Sequence, residues 1–194
     1  MCETRLSRIE FRTPVASNAD LCRALLGDIP GVAVADGKFL EGCVADAVIA
    51  PTNSFGYLDT AIESAFARRF GRRLQRTLQE RIESEFEAEM EVGQAVIVPS
   101  GDLTLPFVVV TPAAQFPGTI ATEPLVDRAL IAGIRAIEAW NRADEGPGIE
   151  SVVVPDVARL SFGWEPEHVY GELRRALEHW RRGSGDDIRR QWAA

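Results

Sequence analysis

A single lysine, Lys38, stands against 20 arginines, and acidic residues outnumber basic ones by 29 to 21, for a net charge of -8. This balance argues against general nucleic-acid binding, which needs several cations set against phosphates. Histidine is almost missing: His168 and His179 lie eleven residues apart in one helical stretch. The three cysteines, Cys2, Cys22 and Cys43, form an odd set with no C-x-x-C and no histidine close by. Neither a disulfide framework nor a zinc site is implied, and reduced structural thiols are expected. No Walker loop, no G-x-G-x-x-G and no serine elbow occurs, so nucleotide kinases, dinucleotide oxidoreductases and serine hydrolases are unsupported and no cofactor or metal is expected. No apolar run reaches membrane length, and Met1-Cys2-Glu3-Thr4-Arg5 does not open a signal peptide. A cytoplasmic location without a membrane partner is the expectation.

What is present suits one domain. A chain of 194 residues is long enough to bury about 70% of its unfolded surface. Short apolar runs predict strands over 7–12, 31–35, 46–50, 95–98, 107–111 and 150–154; helical periodicity predicts helices over 18–26, 60–87, 123–140 and 166–182. Ser17 is placed to cap the first helix, Thr122 with Glu123 to open the third, and Gly183 to close the last. Two strand pairs lack an intervening helix, which implies a mixed sheet. Domain boundaries are read as 1–182, with a short tail over 183–194 whose default is a frayed end. In the second helix Arg68, Arg69, Arg72, Arg73 and Arg76 crowd one end, and Glu80, Glu83, Glu85, Glu87, Glu89 and Glu91 follow. A solvated, internally paired surface is expected there.

The run Asp46-Ala47-Val48-Ile49-Ala50-Pro51-Thr52-Asn53-Ser54-Phe55-Gly56-Tyr57-Leu58-Asp59-Thr60-Ala61-Ile62 is the most informative. Four apolar residues between Asp46 and Pro51 suit a strand buried on both faces. Asp59 before Ala61, Ile62 and Ala65 suits a capped helix with an apolar stripe. The polar residues therefore gather at the carboxyl end of a strand, where open α/β sheets bind ligands.

This run resembles the signature of the macro domains, the ADP-ribose-binding family, whose segment reads roughly D-A-I-V-N-A-A-N, a glycine-rich loop, then V-D-G-A-I. Val152-Val153-Val154-Pro155-Asp156-Val157-Ala158-Arg159-Leu160-Ser161-Phe162-Gly163-Trp164 is similar to the family's second ligand loop, P-A-I-S-T-G-V-Y-G-Y. Gly93-Gln94-Ala95-Val96-Ile97-Val98-Pro99 resembles its G-x-A-V-x-T strand. The likeness covers about 31–180, with 1–30 as an N-terminal strand-and-helix extension. It implies a three-layer α/β/α sandwich around a mixed, mostly parallel sheet of about six strands.

The resemblance also implies a ligand, ADP-ribose or a related nucleotide sugar, and residues to hold it. Ser54, Phe55, Gly56, Thr60, Ala61 and Ile62 match the first loop, and Ala158, Arg159, Leu160, Ser161, Phe162 and Gly163 match the second. In hydrolytic relatives Asn53 would sit near the distal ribose and Asp59 would position water. The same residues have plain structural readings: Asn53 as a loop tie, Asp59 as a helix cap, Phe162 as core. Tyr57 and Thr60 replace glycines, and Ala158-Arg159-Leu160 replaces Ser-Thr-Gly. Leu160 thus stands where bare backbone usually meets the diphosphate, while Arg159 offers a guanidinium fork. Lys38 falls where relatives place an adenine-reading aspartate, and cannot accept an amino hydrogen. Gly27-Asp28-Ile29-Pro30 copies the adenine motif by letters but ends the first helix, and Asp36 is a substitute if that loop is remodelled. A degenerate module that works through protein contacts is the alternative. The sequence assigns no oligomeric state.

Overall fold

Val108, Val109 and Val110 are all fully buried, and three consecutive valines can be covered only if both faces of their strand are packed. The computed structural model describes residues 6–38, 40–58, 61–116, 126–144, 146–159 and 163–183. It supplies the two faces. The strands are β1 (Arg8–Thr13), β2 (Val32–Asp36), β3 (Ala47–Asn53), β4 (Val96–Pro99), β5 (Phe107–Ala114) and β6 (Ser151–Pro155). They form one sheet in the order β2-β1-β6-β3-β5-β4. Every neighbouring pair is parallel except β4 with β5. The sheet is mixed, as predicted, through one of the two helix-free connections only. β2 and β3 follow one another in sequence but are not neighbours.

Side-chain alternation assigns the helices to their layers. Ile49, Val109, Val152 and Val154 point into a core shared with α1 (Ala16–Leu26), α3 (Val126–Ala143) and α4 (Pro166–Gly183). Val48, Val108, Val110 and Val153 point the other way, onto Phe66, Phe70, Leu74, Leu78 and Ile82 of α2 (Ala61–Glu85). The result is the three-layer α/β/α sandwich implied by the sequence. Each fully buried valine contributes about 1.5–3 kcal/mol of transfer free energy, so the central strands β3, β5 and β6 hold the two helical layers together.

Two local readings need adjustment. Ser17 does not cap α1: it lies inside the helix, whose N-cap is Val15. The hydroxyl of Thr13 accepts the Val15 N–H at 3.2 Å at the entry to the helix, and the N-cap itself makes no side-chain cap hydrogen bond. Within the N-terminal strand-and-helix extension, β1 lies between β2 and β6. α2 is interrupted at Gly71, which has φ 75° and ψ 178°; a left-handed φ there suits glycine. Thr122 and Glu123 lie outside the described residues, and Gly183 is the last residue of α4.

Beside the kink, Arg69 is a fastener rather than a solvated charge. It meets Asp102 at 2.9 Å and Thr104 Oγ1 at 2.7 Å, and also donates to the carbonyl of Leu40. It therefore ties α2 to the loops that precede β3 and β5. Among the described residues no helix is long and apolar enough to cross a membrane.

Candidate functional site

β3 and β6 are parallel neighbours, with Ala47 opposite Val152 and Val48 opposite Val153. Their carboxyl ends therefore release both candidate ligand loops from one edge of the sheet. β1 and β5 end there too: Arg12 is opposite Pro155 and Asn53 is opposite Ala114. Such an edge is where an open α/β sheet forms a crevice.

The first loop is built around Asn53, which is only 2% exposed. Its Oδ1 accepts the N–H groups of Phe55 at 3.1 Å and Tyr57 at 3.2 Å, and its Nδ2 donates to the Tyr57 carbonyl at 2.8 Å. An amide that closes its own loop in this way satisfies backbone groups that would otherwise be orphaned. The buried Ser54 continues the brace, donating its N–H to Ala114 and accepting from the N–H of Met90 at 2.9 Å. Gly56 has φ +69°, and a Cβ on it would lie 2.7 Å from Ile82 Cδ1 and 2.9 Å from Leu78 Cγ. Here glycine serves loop-to-helix packing. The Tyr57 side chain is exposed at the rim, as is Phe116, whose ring lies 6.0 Å from that of Phe55. Leu58 donates its N–H to Gln75 of α2 at 3.3 Å. Ala61 and Ile62 open α2, while Asp59 and Thr60 lie outside the described residues.

The second loop starts from Asp156, a residue that sequence reasoning did not single out. Its buried carboxylate accepts from Thr13 Oγ1 at 2.5 Å, Asn18 Nδ2 at 3.0 Å and Tyr170 Oη at 2.9 Å. One side chain thus joins the end of β1, α1, α4 and the loop. The available signal was an aspartate directly after the proline that ends β6, where the family pattern has alanine. Its negative charge acts on its neighbours. Burial, with Asp156 adding, pushes the Cys22 thiol up to about 12 against the opposing pull of Arg23. Burial, with the Asp156 charge and hydrogen bond, also raises the Tyr170 phenol well above its ordinary value. Both groups stay protonated at neutral pH.

Beyond Asp156, Val157–Arg159 form a single 3-10 turn. Val157 and Ala158 are buried, and Arg159 is exposed at the carboxyl edge. Gly163, at φ +88°, stands before the start of α4. Leu160, Ser161 and Phe162 lie outside the described residues. Asn53, Ser54, Phe55, Gly56, Ala158, Arg159 and Gly163 thus belong to loops on a common edge. Elsewhere, Lys38 pairs with Glu41 at 2.8 Å on the surface, and Asp36 pairs with Arg23. Asp28 is held by the fork of Arg174 at 2.6 and 2.9 Å, which lowers its pKa. Asp127, in the first turn of α3, has its carboxyl raised above the usual range by burial. Among the described residues no group of three or more histidine, cysteine, aspartate or glutamate side chains could hold a metal ion.

Comparison with solved structures gives the fold independently. The macrodomain of Mycobacterium tuberculosis DarG is 22% identical, with a TM-score of 0.60 over 75% of this chain and 89% of that one. The macrodomain of Thermus aquaticus DarG is 18% identical, with a TM-score of 0.58 over 73% and 87%. A Trypanosoma brucei macrodomain is 16% identical, with a TM-score of 0.50 over 92% of this chain and 59% of that one. No curated protein matches the chain. The Macro domain family model matches residues 49–170, a span that starts inside β3, ends inside α4 and contains both loops. Covering more than half of the sequence, it shows that this chain belongs to the macro domain family.

Proposed function

We propose that this macro domain binds ADP-ribose or a related nucleotide-sugar ligand in the crevice at the carboxyl edge of its sheet. The observation that carries the reading is the departure of both candidate loops from the adjacent parallel strands β3 and β6. Macro domains generally bind ADP-ribose, and a ligand with two charged phosphates suits an edge with backbone N–H groups and a helix start. The two helix starts differ. α4 is preceded by Glu165 and carries Glu167 in its first turn, so its terminal dipole, worth about 0.3–1 kcal/mol, is offset by carboxylates. The diphosphate is better served by the start of α2 and by the exposed Arg159, whose planar fork matches two phosphate oxygens.

Within this reading Asn53 acts through the loop it closes, and Asp59 is assigned the water for attack at an anomeric carbon or an ester of an ADP-ribosyl derivative. The test has two stages. Calorimetric titration with ADP-ribose should give binding at micromolar strength; no heat up to about 1 mM ligand would reject the reading and favour a module that acts through protein contacts. A panel of ADP-ribosylated proteins and esters should then be turned over by the wild type and not by Asp59→Ala. Equal turnover by that variant would reduce Asp59 to a helix cap.

A further inference from the structure

The second half of α2 carries a band of charge that no contact within the described fold uses. After the kink at Gly71 the helix runs unbroken to Glu85. Along it Arg73, Arg76, Glu80 and Glu83 follow one another at spacings of three, four and three residues. On a helix of 3.6 residues per turn this spacing gathers all four into an arc of about 80°. All four are exposed, while Leu74, Leu78 and Ile82 on the other side are buried in the core. No ion pair among the described residues includes any of the four; the pair that this stretch does make is Arg81 with Glu85. Arg76 and Glu80 are one turn apart, but arginine before glutamate is the weaker order for an intrahelical pair.

Read from the N-terminus, the band is plus, plus, minus, minus. Its complement is itself, reversed. The geometry points to a second copy of this chain as the occupant of this helix face, in an antiparallel contact around a two-fold axis at the level of Leu78. That axis sets Arg73 against the partner's Glu83 and Arg76 against the partner's Glu80, and symmetry repeats both pairs. A parallel arrangement would oppose like charges. A polyanion would meet Glu80 and Glu83 as well as the arginines, so the bipolar pattern fits a bipolar partner. The net charge of -8 per copy opposes association, but it is spread over the surface and screened beyond about 8 Å at physiological salt, whereas the paired groups meet at contact.

Exposed ion pairs are individually weak, so the dimer should form with a dissociation constant on the order of 0.1–1 mM and be sensitive to salt. Sedimentation equilibrium of the full chain tests this, with concentrations up to about 1 mM. The wild type should approach dimer mass at roughly 0.1 M salt and return to monomer at about 1 M, where the screening length falls to about 3 Å. The double variant Arg73→Glu, Arg76→Glu makes the band wholly acidic, and Glu80→Arg, Glu83→Arg makes it wholly basic. Each alone should stay monomeric, and an equimolar mixture should associate at least about tenfold more tightly than the wild type. Because the mixture regains what each variant loses, misfolding cannot imitate the expected result. A wild type that stays monomeric throughout, a dimer retained by either variant alone, or a mixture that fails to associate would each overturn the proposal.

Discussion

The phenol of Tyr170 donates a 2.9 Å hydrogen bond to Oδ1 of Asp156, joining the helix after the second candidate loop to the residue where that loop begins. Thr13 and Asn18 occupy the other carboxylate oxygen. Removing one donor from a buried carboxylate leaves part of its charge uncompensated, which costs about 1–3 kcal/mol. Tyr170→Phe should therefore lower stability by that amount in denaturant titration. Asp156→Ala should cost more, because it strands three donors at once. If Tyr170→Phe is neutral, the network is not what holds the loop.

Arg69 and Asp102 give a pH signature. Their side chains are only 20% and 26% exposed, so solvent screening is incomplete and the pair counts for more than a surface bridge. The hydrogen bonds from Arg69 and Thr104 hold the Asp102 carboxyl well below the usual carboxylate range. A depressed folded-state pKa gives stability that is fully present above the unfolded value of about 3.9 and is lost as pH falls through the folded value. Asp102→Asn should be less stable than wild type by roughly 1–3 kcal/mol at pH 7. The difference should shrink steadily below about pH 4. Urea titrations at a series of pH values check this, and a constant difference down to low pH would contradict it.

Gly56 couples the first loop to α2. Gly56→Ala would strain a left-handed backbone and press a methyl group against Leu78 Cγ and Ile82 Cδ1. The leucine and isoleucine tips can shift, but moving the branch carbon of Leu78 means turning a fully buried side chain within its packed core. A loss of about 2–3 kcal/mol is expected. Thermal melts and hydrogen exchange at the Phe55 and Tyr57 amides should both report it, the second because the loop would open locally.

Much of this was legible from residue order. Apolar runs located all six strands within a residue or a few, because strands covered on both faces admit little else. What sequence did not reveal follows from contacts between distant segments. Asp46 reads as the first letter of a ligand motif, yet its Oδ2 accepts from the Glu150 and Ser151 N–H groups and from Ser151 Oγ, at 2.8–3.0 Å. It fastens the start of β3 to β6, at the opposite end from the crevice. Asp156 finds its partners 14 to 143 residues away, and no local pattern announces such a cluster. The kink at Gly71 was hidden because the apolar stripe from Phe66 to Ile82 passes through it.

Arg159 and Leu160 provide the sharpest test of the proposed ligand. Arg159 is exposed at the carboxyl edge, on a 3-10 turn fixed by buried Val157 and Ala158 and by the hydrogen bond from its own N–H to the Asp156 carbonyl at 3.2 Å. Its guanidinium is the cation this loop offers to a diphosphate, and a charge-assisted bidentate contact is worth about 1.5–3 kcal/mol. Arg159→Ala should weaken ADP-ribose binding by about 10- to 100-fold without loss of stability, since among the described residues no buried group depends on it. Leu160→Gly should act in the opposite direction by freeing backbone N–H groups for the phosphates, with part of the gain offset by added loop flexibility. Titration calorimetry on both variants, with ADP-ribose and with adenosine as a ligand lacking phosphates, separates the effects. Both changes should affect ADP-ribose and leave adenosine unaltered. If Arg159→Ala weakens both ligands equally, the guanidinium is shaping the crevice rather than meeting phosphate.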